Sequence, residues 1–238
     1  MFKKVLLAAV SFAVVTTIGC AGGGGGLPNF GADFGKKSTP MGEIRIPYTD
    51  CISYYGYVAP GAQPDAVVNG KNMFFLYVWI PIVAPEIGVR MCSPAAGAPK
   101  AGDFVSPDYT ANTSDKTNYF DTWINFERAA DIINPEDIKA KAASTSWILY
   151  ESNDDSGEMP KQPSGSKYNS LLRVTSSTSE PLKALVRGLY RVGFTTYKVG
   201  EVKGSFLAQV GAPIKIPGVV VAKDINSLVA EIEKNAAK

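Results

Sequence analysis

The sequence predicts an all-β fold, a jelly-roll-like β-sandwich that carries a few short helices. Apolar and polar residues alternate over many short segments, and glycine and proline separate these segments along the chain. The aromatic run Met73–Ile80 ends at Pro81 and is expected to be a strand buried on both faces. The 238 residues leave room for one domain with a substantial core, even after an N-terminal leader is removed.

The N-terminus predicts export and lipidation. Residues 1–19 combine a basic start with an apolar run that is too short to cross a bilayer of about 30 Å. Gly19 and then Cys20 follow that run, which predicts cleavage before Cys20 and attachment of lipid to its sulfur. An ordinary signal peptide with an incidental cysteine is the alternative, because Thr17 stands where a lipobox usually has leucine.

The segment after the leader predicts a tether. Residues 20–42 start with Cys20 and a run of glycines and continue with lysine, serine and proline, so we expect a flexible connection. If the envelope sorts lipoproteins by the residue after the lipidated cysteine, Ala21 is not an inner-membrane retention signal and the outer membrane, with exposure at the cell surface, is the expected location. Residues 43–238 are expected to form one β-sandwich domain.

Strands are expected along most of this domain. In the segment around residues 186–195, Arg187 and Arg191 alternate with apolar residues, which predicts a half-buried strand whose basic residues face water. The other predicted strands are Ile44–Tyr48, Cys51–Val58, Glu86–Cys92, Tyr119–Phe126, Ser146–Tyr150, Leu171–Thr175, Ser205–Val210 and Val219–Val221.

Two helices are predicted. Asn134 can cap a helix that has proline at its first position and that runs to about Ala143. Asp224 can cap a C-terminal helix at about 224–236, with apolar residues on one face and lysines near its end.

Composition excludes several function classes. The chain has no histidine, which excludes serine or cysteine triads that need one and removes the commonest zinc ligand. A metal site would have to be built from oxygen atoms, so calcium or magnesium is favoured. The formal net charge of +2 argues against a nucleic-acid partner.

Cys51 and Cys92 are the two cysteines besides Cys20. In an oxidising envelope such a pair is a candidate disulfide. Two buried thiols that act as small apolar groups are the alternative.

Two acidic features are candidates for a cation site. The segment 151–158 gathers carboxylates, including Asp154 and Asp155, with neutral oxygens and a glycine, as hard cations require. A solvated acidic turn is the alternative. Asp121 interrupts an aromatic strand and would need a partner if it is buried; it could equally be an outward-facing residue.

Several aromatic-rich blocks carry a family resemblance. These blocks resemble the family of the major surface lipoprotein of leptospires and extend over about residues 50 to 211. They are Tyr54–Val58 with Pro60-Gly61, Leu76–Pro81, Gly88–Met91 with Ser93-Pro94, Phe120–Ile124, Lys167–Leu171, Leu185–Arg191, Phe194–Lys198 and Gly200–Phe206.

The resemblance implies a lipid-anchored jelly-roll protein with a calcium site, without known catalytic activity. Calcium in that family is bound by an Asp-Thr pair on a strand, two adjacent aspartates in an acidic loop and a downstream tyrosine. Asp121 and Thr122 match the pair, Asp154 and Asp155 match the loop, and Tyr168 matches the tyrosine. Thr122 and Tyr168 are expected to offer backbone carbonyl oxygens. The acidic loop is shorter and less charged than in the type member, which should weaken affinity for Ca²⁺.

The predicted function is that of a surface lipoprotein that binds Ca²⁺ and presents an adhesion surface. Its expected partners are the outer membrane, through the lipid anchor, and extracellular-matrix or other surface proteins. A homodimer is left open. The alternatives are a structural envelope lipoprotein without a specific ligand, and a carbohydrate-active jelly-roll enzyme that would use Asp121 and Glu127.

Overall fold

The computed structural model describes residues 35–40, 42–46, 48–198 and 200–237. Strands dominate this part of the chain and form two large sheets and a separate two-stranded hairpin. The strands are β1 Gly35–Thr39, β2 Gly42–Ile46, β3 Thr49–Val58, β4 Ala66–Val68, β5 Lys71–Ile80, β6 Glu86–Cys92, β7 Phe104–Val105, β8 Thr122–Ala129, β9 Trp147–Asn153, β10 Ser170–Thr175, β11 Gly188–Thr196, β12 Gly204–Ala212 and β13 Val220–Ala222.

The two large sheets form a β-sandwich, as predicted. One sheet has the strand order β10-β6-β12-β3-β7, and the other has the order β13-β5-β11-β8-β9 with β4 also paired to β5. Every pair is antiparallel except β3 with β7. Their inner faces bury one large cluster, in which the rings of Phe194 and Phe206 lie 4.9 Å apart between their centroids across the two sheets.

The helices are short except for the last. They are α1 Pro107–Ala111, α2 Ile138–Lys141 after a 3₁₀ turn at Pro135–Asp137, and α3 Ile225–Ala236; a further 3₁₀ turn covers Pro181–Lys183. The predicted C-terminal helix is confirmed, and its capping residue Asp224 accepts a hydrogen bond from the backbone N–H of Ser227 at 2.9 Å. Within the described residues, no helix combines the length and apolarity that crossing a membrane requires.

The helices cover part of the outer face of the six-stranded sheet. Ile138 of α2 and Leu228 of α3 pack there with Trp79 and Leu189 in a second apolar cluster. Strand β5 is therefore buried on both faces, as predicted. The prediction that the basic residues of β11 face water is wrong for Arg191, because its guanidinium lies between two aromatic rings and the strand is buried on both faces.

Most of the N-terminal predictions concern residues outside the described part of the chain, which begins at residue 35. The predicted leader 1–19 and the lipidated Cys20 lie outside the described residues. The predicted tether 20–42 extends into them, where residues 35–39 pair with 42–46 as a hairpin. Lysine, serine and threonine in 35–39 suggested a linker, but a short hairpin needs few apolar residues when its backbone groups pair with each other.

The predicted disulfide between Cys51 and Cys92 is not formed. Cys51 lies on β3 and Cys92 on β6, and β12 runs between these strands. Cys92 is opposite Leu207, which in turn is opposite Tyr55, four residues beyond Cys51. Two strand spacings of about 4.8 Å and four residues of about 3.4 Å put the Cα atoms far beyond the ~7 Å limit for a bridge.

Cys51 occupies a β-bulge instead. Between Val210 and Gly211 the register of β12 on β3 shifts, so that Cys51 has no opposite residue there. Its sulfur accepts a hydrogen bond from the backbone N–H of Ile216 at 3.4 Å. Cys92 is buried in a small cluster with Met159 and Leu171. The two thiols therefore lie in separate environments, Cys51 at the bulge and Cys92 in the small cluster.

Candidate metal centre

The first predicted ligand pair lies at the start of β8. The strand begins at Thr122 rather than at the predicted Tyr119, and the backbone N–H of Phe120 donates to the hydroxyl of Ser93 instead of to a neighbouring strand. The backbone N–H of Thr122 donates to the carbonyl oxygen of Tyr168 at 3.0 Å, and Thr122 is fully buried. Two predicted ligand positions from distant parts of the chain thus lie next to each other.

Ser170 joins this pair to the acidic loop. Its backbone N–H donates to Thr122 Oγ1 at 2.8 Å, and its hydroxyl donates to the carbonyl oxygens of Thr122 and Asp154. We call the region formed by the start of β8, the loop around Asp154 and the segment 168–170 the rim. Ser170 was missed at the sequence level, because a single serine at the start of a strand carries no signal.

The acidic loop is fixed to the rim by further polar contacts. Asn153 donates its side-chain N–H to the carbonyl of Leu171 at 2.6 Å, and the N–H of Ser156 donates to the carbonyl of Asn169 at 3.1 Å. Asp154 Oδ1 accepts the backbone N–H of Asp155 at 2.8 Å. Asp154 is half-buried and Asp155 is exposed, so the loop directs one aspartate toward the protein and leaves the next beside it at the surface.

A buried glutamine positions the residue before Asp121. The side-chain N–H of Gln162 donates to the carbonyl oxygens of Ser93 at 2.8 Å and Phe120 at 2.7 Å. Gln162 is 5 % exposed although it belongs to a segment rich in proline, serine and glycine. A composition of this kind is typical of a loop and carries no signal of such a contact.

Asp121 has an unusual electrostatic environment. Its Oδ1 is buried and has no hydrogen-bond partner within the part of the chain that the structure describes. Burial, together with the negative charges of Asp155 and Asp154, raises the pKa of the Asp121 carboxyl to about 6, although Lys198 and Lys71 act in the opposite direction. Burial and then the charge of Asp154 also raise the pKa of Asp155. The rim therefore carries repelling negative charges that a cation would relieve.

The donor set at the rim consists of oxygen atoms. Carboxylates of Asp121, Asp154 and Asp155 and backbone carbonyls of Thr122 and Tyr168 are the ligand types that Ca²⁺ prefers. Among the described residues, however, no group of three or more Cys, Asp or Glu side chains is close enough together to bind a metal. The orphaned Asp121 oxygen fits a hard cation, and the carboxylates would have to move toward one another to complete its shell.

Asp121 and Glu127 do not form a glycosidase pair. They are six residues apart along extended chain, which corresponds to about 20 Å. Glycosidase carboxyls lie about 5 to 9.5 Å apart. Glu127 forms an ion pair with Arg191 on the outer face of the sheet.

Comparison with known proteins gives one family match. The sequence model of the Lipl32 family, described as a surface lipoprotein of the order Spirochaetales, matches residues 42–221. The match includes all five predicted rim ligands and every strand from β2 to β12. No curated protein sequence matches the chain.

Proposed function

The chain belongs to the Lipl32 family of surface lipoproteins of the order Spirochaetales, and from this premise we propose that it is anchored in the outer membrane by lipid on Cys20 and that Ca²⁺ stabilises its rim as a recognition surface. Cys20 lies outside the described residues, so the anchor is supported by the sequence pattern and by the family. We propose a binding role rather than an enzymatic one.

The strongest support for calcium is the unpartnered oxygen of Asp121. A buried acceptor without a hydrogen bond costs free energy that a bound cation would recover. Asp121 immediately precedes Thr122, so a cation bound there would contact the start of β8 directly. This oxygen is the observation on which the proposal rests.

Charge repulsion at the rim supports the same ligand. Asp154 and Asp155 both raise the pKa of Asp121, so the three carboxylates act on one another electrostatically. A divalent cation would replace this repulsion by attraction and would bring the carboxylates toward Asp121. Since the backbone at Asp154 is already bonded to Ser170, the required movement is confined to side chains and to the exposed part of the loop.

Backbone carbonyls can complete the donor set. The carbonyl oxygen of Tyr168 accepts the N–H of Thr122 at 3.0 Å and, more weakly, the side-chain N–H of Gln162 at 3.3 Å and the hydroxyl of Thr122 at 3.4 Å, so a cation would replace the two longer bonds. The carbonyl of Thr122 accepts the hydroxyl of Ser170. We propose that these two oxygens, with the three carboxylates, bind Ca²⁺ at the rim.

Exposed aromatic residues at the rim support a recognition role. Tyr168 is 43 % exposed, and Tyr197, whose backbone N–H donates to the carbonyl of Asp121, is 46 % exposed. Tyrosine is enriched among residues that dominate binding at protein interfaces. We propose that Ca²⁺ orders Tyr168, whose carbonyl is a proposed ligand, for contact with extracellular-matrix or other surface proteins.

The test is thermal unfolding of the full-length protein in mild detergent, with EGTA or with millimolar CaCl₂. Binding to the folded state alone stabilises by about 2.7 kcal/mol when Ca²⁺ is present at about one hundred times Kd. The melting temperature should rise with Ca²⁺ in the natural protein and should not rise in Asp154→Asn/Asp155→Asn. Glu136→Gln/Glu233→Gln is the matched control, because it removes the same charge from exposed positions outside the rim.

The outcomes separate the candidate functions. A Ca²⁺-dependent rise that persists in Glu136→Gln/Glu233→Gln and disappears in the rim variant supports the site. Equal melting temperatures in EGTA and Ca²⁺ contradict it and favour a structural lipoprotein without a bound metal. The recognition role is tested by binding to immobilised matrix proteins in Ca²⁺ and in EGTA, where equal or absent binding in both conditions contradicts it.

A further inference from the structure

A cavity of about 410 Å³ opens on the outer face of the six-stranded sheet, beside the part that the helices cover. In the sheet register, Gly193 of β11 lies between Phe75 of β5 and Asn125 of β8, which both line the cavity. A Cβ atom at this position would overlap Asn125 Oδ1 and would lie 2.9 Å from the terminal methyl of Met73. A side chain at residue 193 would therefore displace Asn125 and Met73, which line the cavity.

The walls of the cavity are apolar and largely aromatic. Met73 and Phe75 line one side, Trp123 lines the other, and Tyr197 lies at the mouth. The end of β4 contributes Val68. The volume falls within the range of about 300 to 1,000 Å³ that is typical of small-molecule sites, which combine such walls with a few polar groups.

The cavity contains an acceptor that lacks a donor. Asn125 Oδ1 is buried and has no hydrogen-bond partner among residues 35–40, 42–46, 48–198 and 200–237. Because this oxygen packs on Gly193 and is not exposed to the cavity, a ligand hydroxyl or N–H group would satisfy it once the Asn125 side chain turns toward the ligand. A purely apolar ligand, such as an acyl chain, would leave it buried and unpaired.

A rigid ion pair forms one end of the cavity. Arg191 pairs with Glu127, and its guanidinium lies 4.1 Å from the ring centroids of both Phe75 and Trp147. The two aromatic rings fix the guanidinium plane, so this end offers donors and acceptors in a set orientation. The pair carries no net charge, and the ammonium of Lys71, which also lines the cavity, already donates to two backbone carbonyls, so the lining favours a neutral ligand over an ionic one.

At the end opposite to the ion pair, contacts of Lys71 hold the mouth of the cavity in place. The Lys71 ammonium donates to the carbonyl of Thr196 at 3.0 Å and to that of Tyr197, and it lies 5.5 Å from the centroid of the Tyr197 ring. The ring is thereby connected to the end of β11 and to the start of β5. This arrangement provides a positioned aromatic surface at the entrance.

We propose that this cavity binds a neutral saccharide, with one sugar ring against Trp123 and a hydroxyl donated to Asn125 Oδ1. Sugars combine apolar C–H faces, which pack on aromatic rings, with hydroxyls that both donate and accept, and the lining offers partners for both. The inference goes beyond the calcium-dependent role proposed above. It does not depend on that role, because none of the cavity residues used here is a predicted calcium ligand.

The experiment is NMR titration of the full-length protein in zwitterionic detergent with a panel of methyl hexosides and N-acetylhexosamines at millimolar concentrations. Backbone amides of Gly193 and Asn125 should shift with at least one member of the panel. Asn125→Leu keeps the branched shape of the side chain but removes the acceptor, and it should weaken binding about tenfold. Asn226→Leu, the same change at an exposed position of α3, is the matched control and should bind as the natural protein does.

A second variant tests the proposal independently of any misfolding that a change at position 125 causes. Trp123→Ala should abolish the sugar-induced shifts while the amide spectrum of the five-stranded sheet stays unchanged. The proposal is overturned if no saccharide shifts the cavity amides, or if binding persists unchanged in both variants. Shifts produced by an indole or a fatty acid but by no sugar also overturn it. Titration in EGTA should give the same result as in Ca²⁺, so failure of the calcium site would not affect this outcome.

Discussion

The hydroxyl of Thr122 accepts the backbone N–H of Ser170 at 2.8 Å, so that two residues at the starts of strands in opposite sheets bond to each other. Thr122 belongs to the six-stranded sheet, and Ser170 belongs to the five-stranded sheet. Both residues are fully buried. This contact closes the sandwich at the rim, and it does so with the residues that the proposed calcium site uses.

Replacing Thr122 with valine should destabilise the protein even without calcium. Valine has nearly the same shape but leaves the Ser170 N–H buried without its acceptor, which costs about 1 to 3 kcal/mol. Urea unfolding in EGTA measures this loss. The exposed Thr113→Val provides the matched control and should change the free energy of unfolding by less than about 0.5 kcal/mol. Equal stability of the two variants would contradict the role of the contact.

The raised pKa of Asp121 predicts that the stability of the calcium-free protein depends on pH. Its folded pKa is about 6, whereas an unfolded aspartate titrates near pH ~4, so the folded state retains the proton to a higher pH. The stabilising contribution of the Asp121 carboxyl is therefore fully present below pH ~4, and it is lost as the pH rises through about 6. Asp121→Asn should remove this loss.

The measurement is urea unfolding in EGTA at several values from pH ~4 to pH ~7. The difference in unfolding free energy between Asp121→Asn and the natural protein should grow in favour of the variant as the pH rises. With Ca²⁺ present the natural protein should instead gain stability over the same range, because protons and Ca²⁺ compete for one carboxylate. A difference that does not change with pH would contradict the raised pKa.

Much of the fold followed from alternation in the sequence. Strand β6 has the predicted bounds Glu86–Cys92, since its apolar residues alternate and its ends are marked by proline and serine. Strand β7 and helix α1 were not predicted, because two and five residues are too few to show a period. The surroundings of Arg191 could not be predicted, because the rings beside it come from β5 and β9, whose pairing a local pattern does not define.

The candidate site followed from resemblance more than from local chemistry. The resemblance assigned Asp121, Thr122, Asp154, Asp155 and Tyr168 to one site, and the contacts of Thr122 with Tyr168 and with Ser170 bring these segments to one rim. The supporting contacts of Ser170 and Gln162 had no sequence signal, since a serine or glutamine bonded to distant backbone resembles any loop residue. The role of these residues as ligands stays a prediction until metal binding is measured.

The thiols of Cys51 and Cys92 should remain reduced and react differently. Burial raises the pKa of the Cys92 thiol to about 12 and excludes reagents, whereas Cys51 is only half-buried at its bulge. Mass spectrometry after alkylation of the native protein should find Cys51 modified before Cys92. After denaturation without a reductant, both should be alkylated. Failure of both to react until a reductant is added would demonstrate a disulfide and contradict the strand order.

Gly204 should be the least replaceable glycine near the rim. It has a φ of +97°, and a Cβ there would overlap the backbone carbonyl of Asn118. Gly204→Ala therefore combines a strained conformation with a backbone clash, and we expect a loss of more than about 3 kcal/mol in urea unfolding. Gly165→Ala is the matched control, since its φ is +86° but no atom lies within 4 Å of its added Cβ.

The clash at Gly204 also has a consequence for calcium. Asn118 and Tyr119 lead into Phe120 and Asp121, so a displaced backbone at Asn118 would move the Asp121 carboxylate away from the acidic loop. Gly204→Ala should therefore show a smaller Ca²⁺-induced rise in melting temperature than the natural protein, whereas Gly165→Ala should keep the full rise. If both variants keep the full rise, the position of Asp121 does not depend on the packing of Gly204 against Asn118, and the proposed site must be assembled by the loop alone.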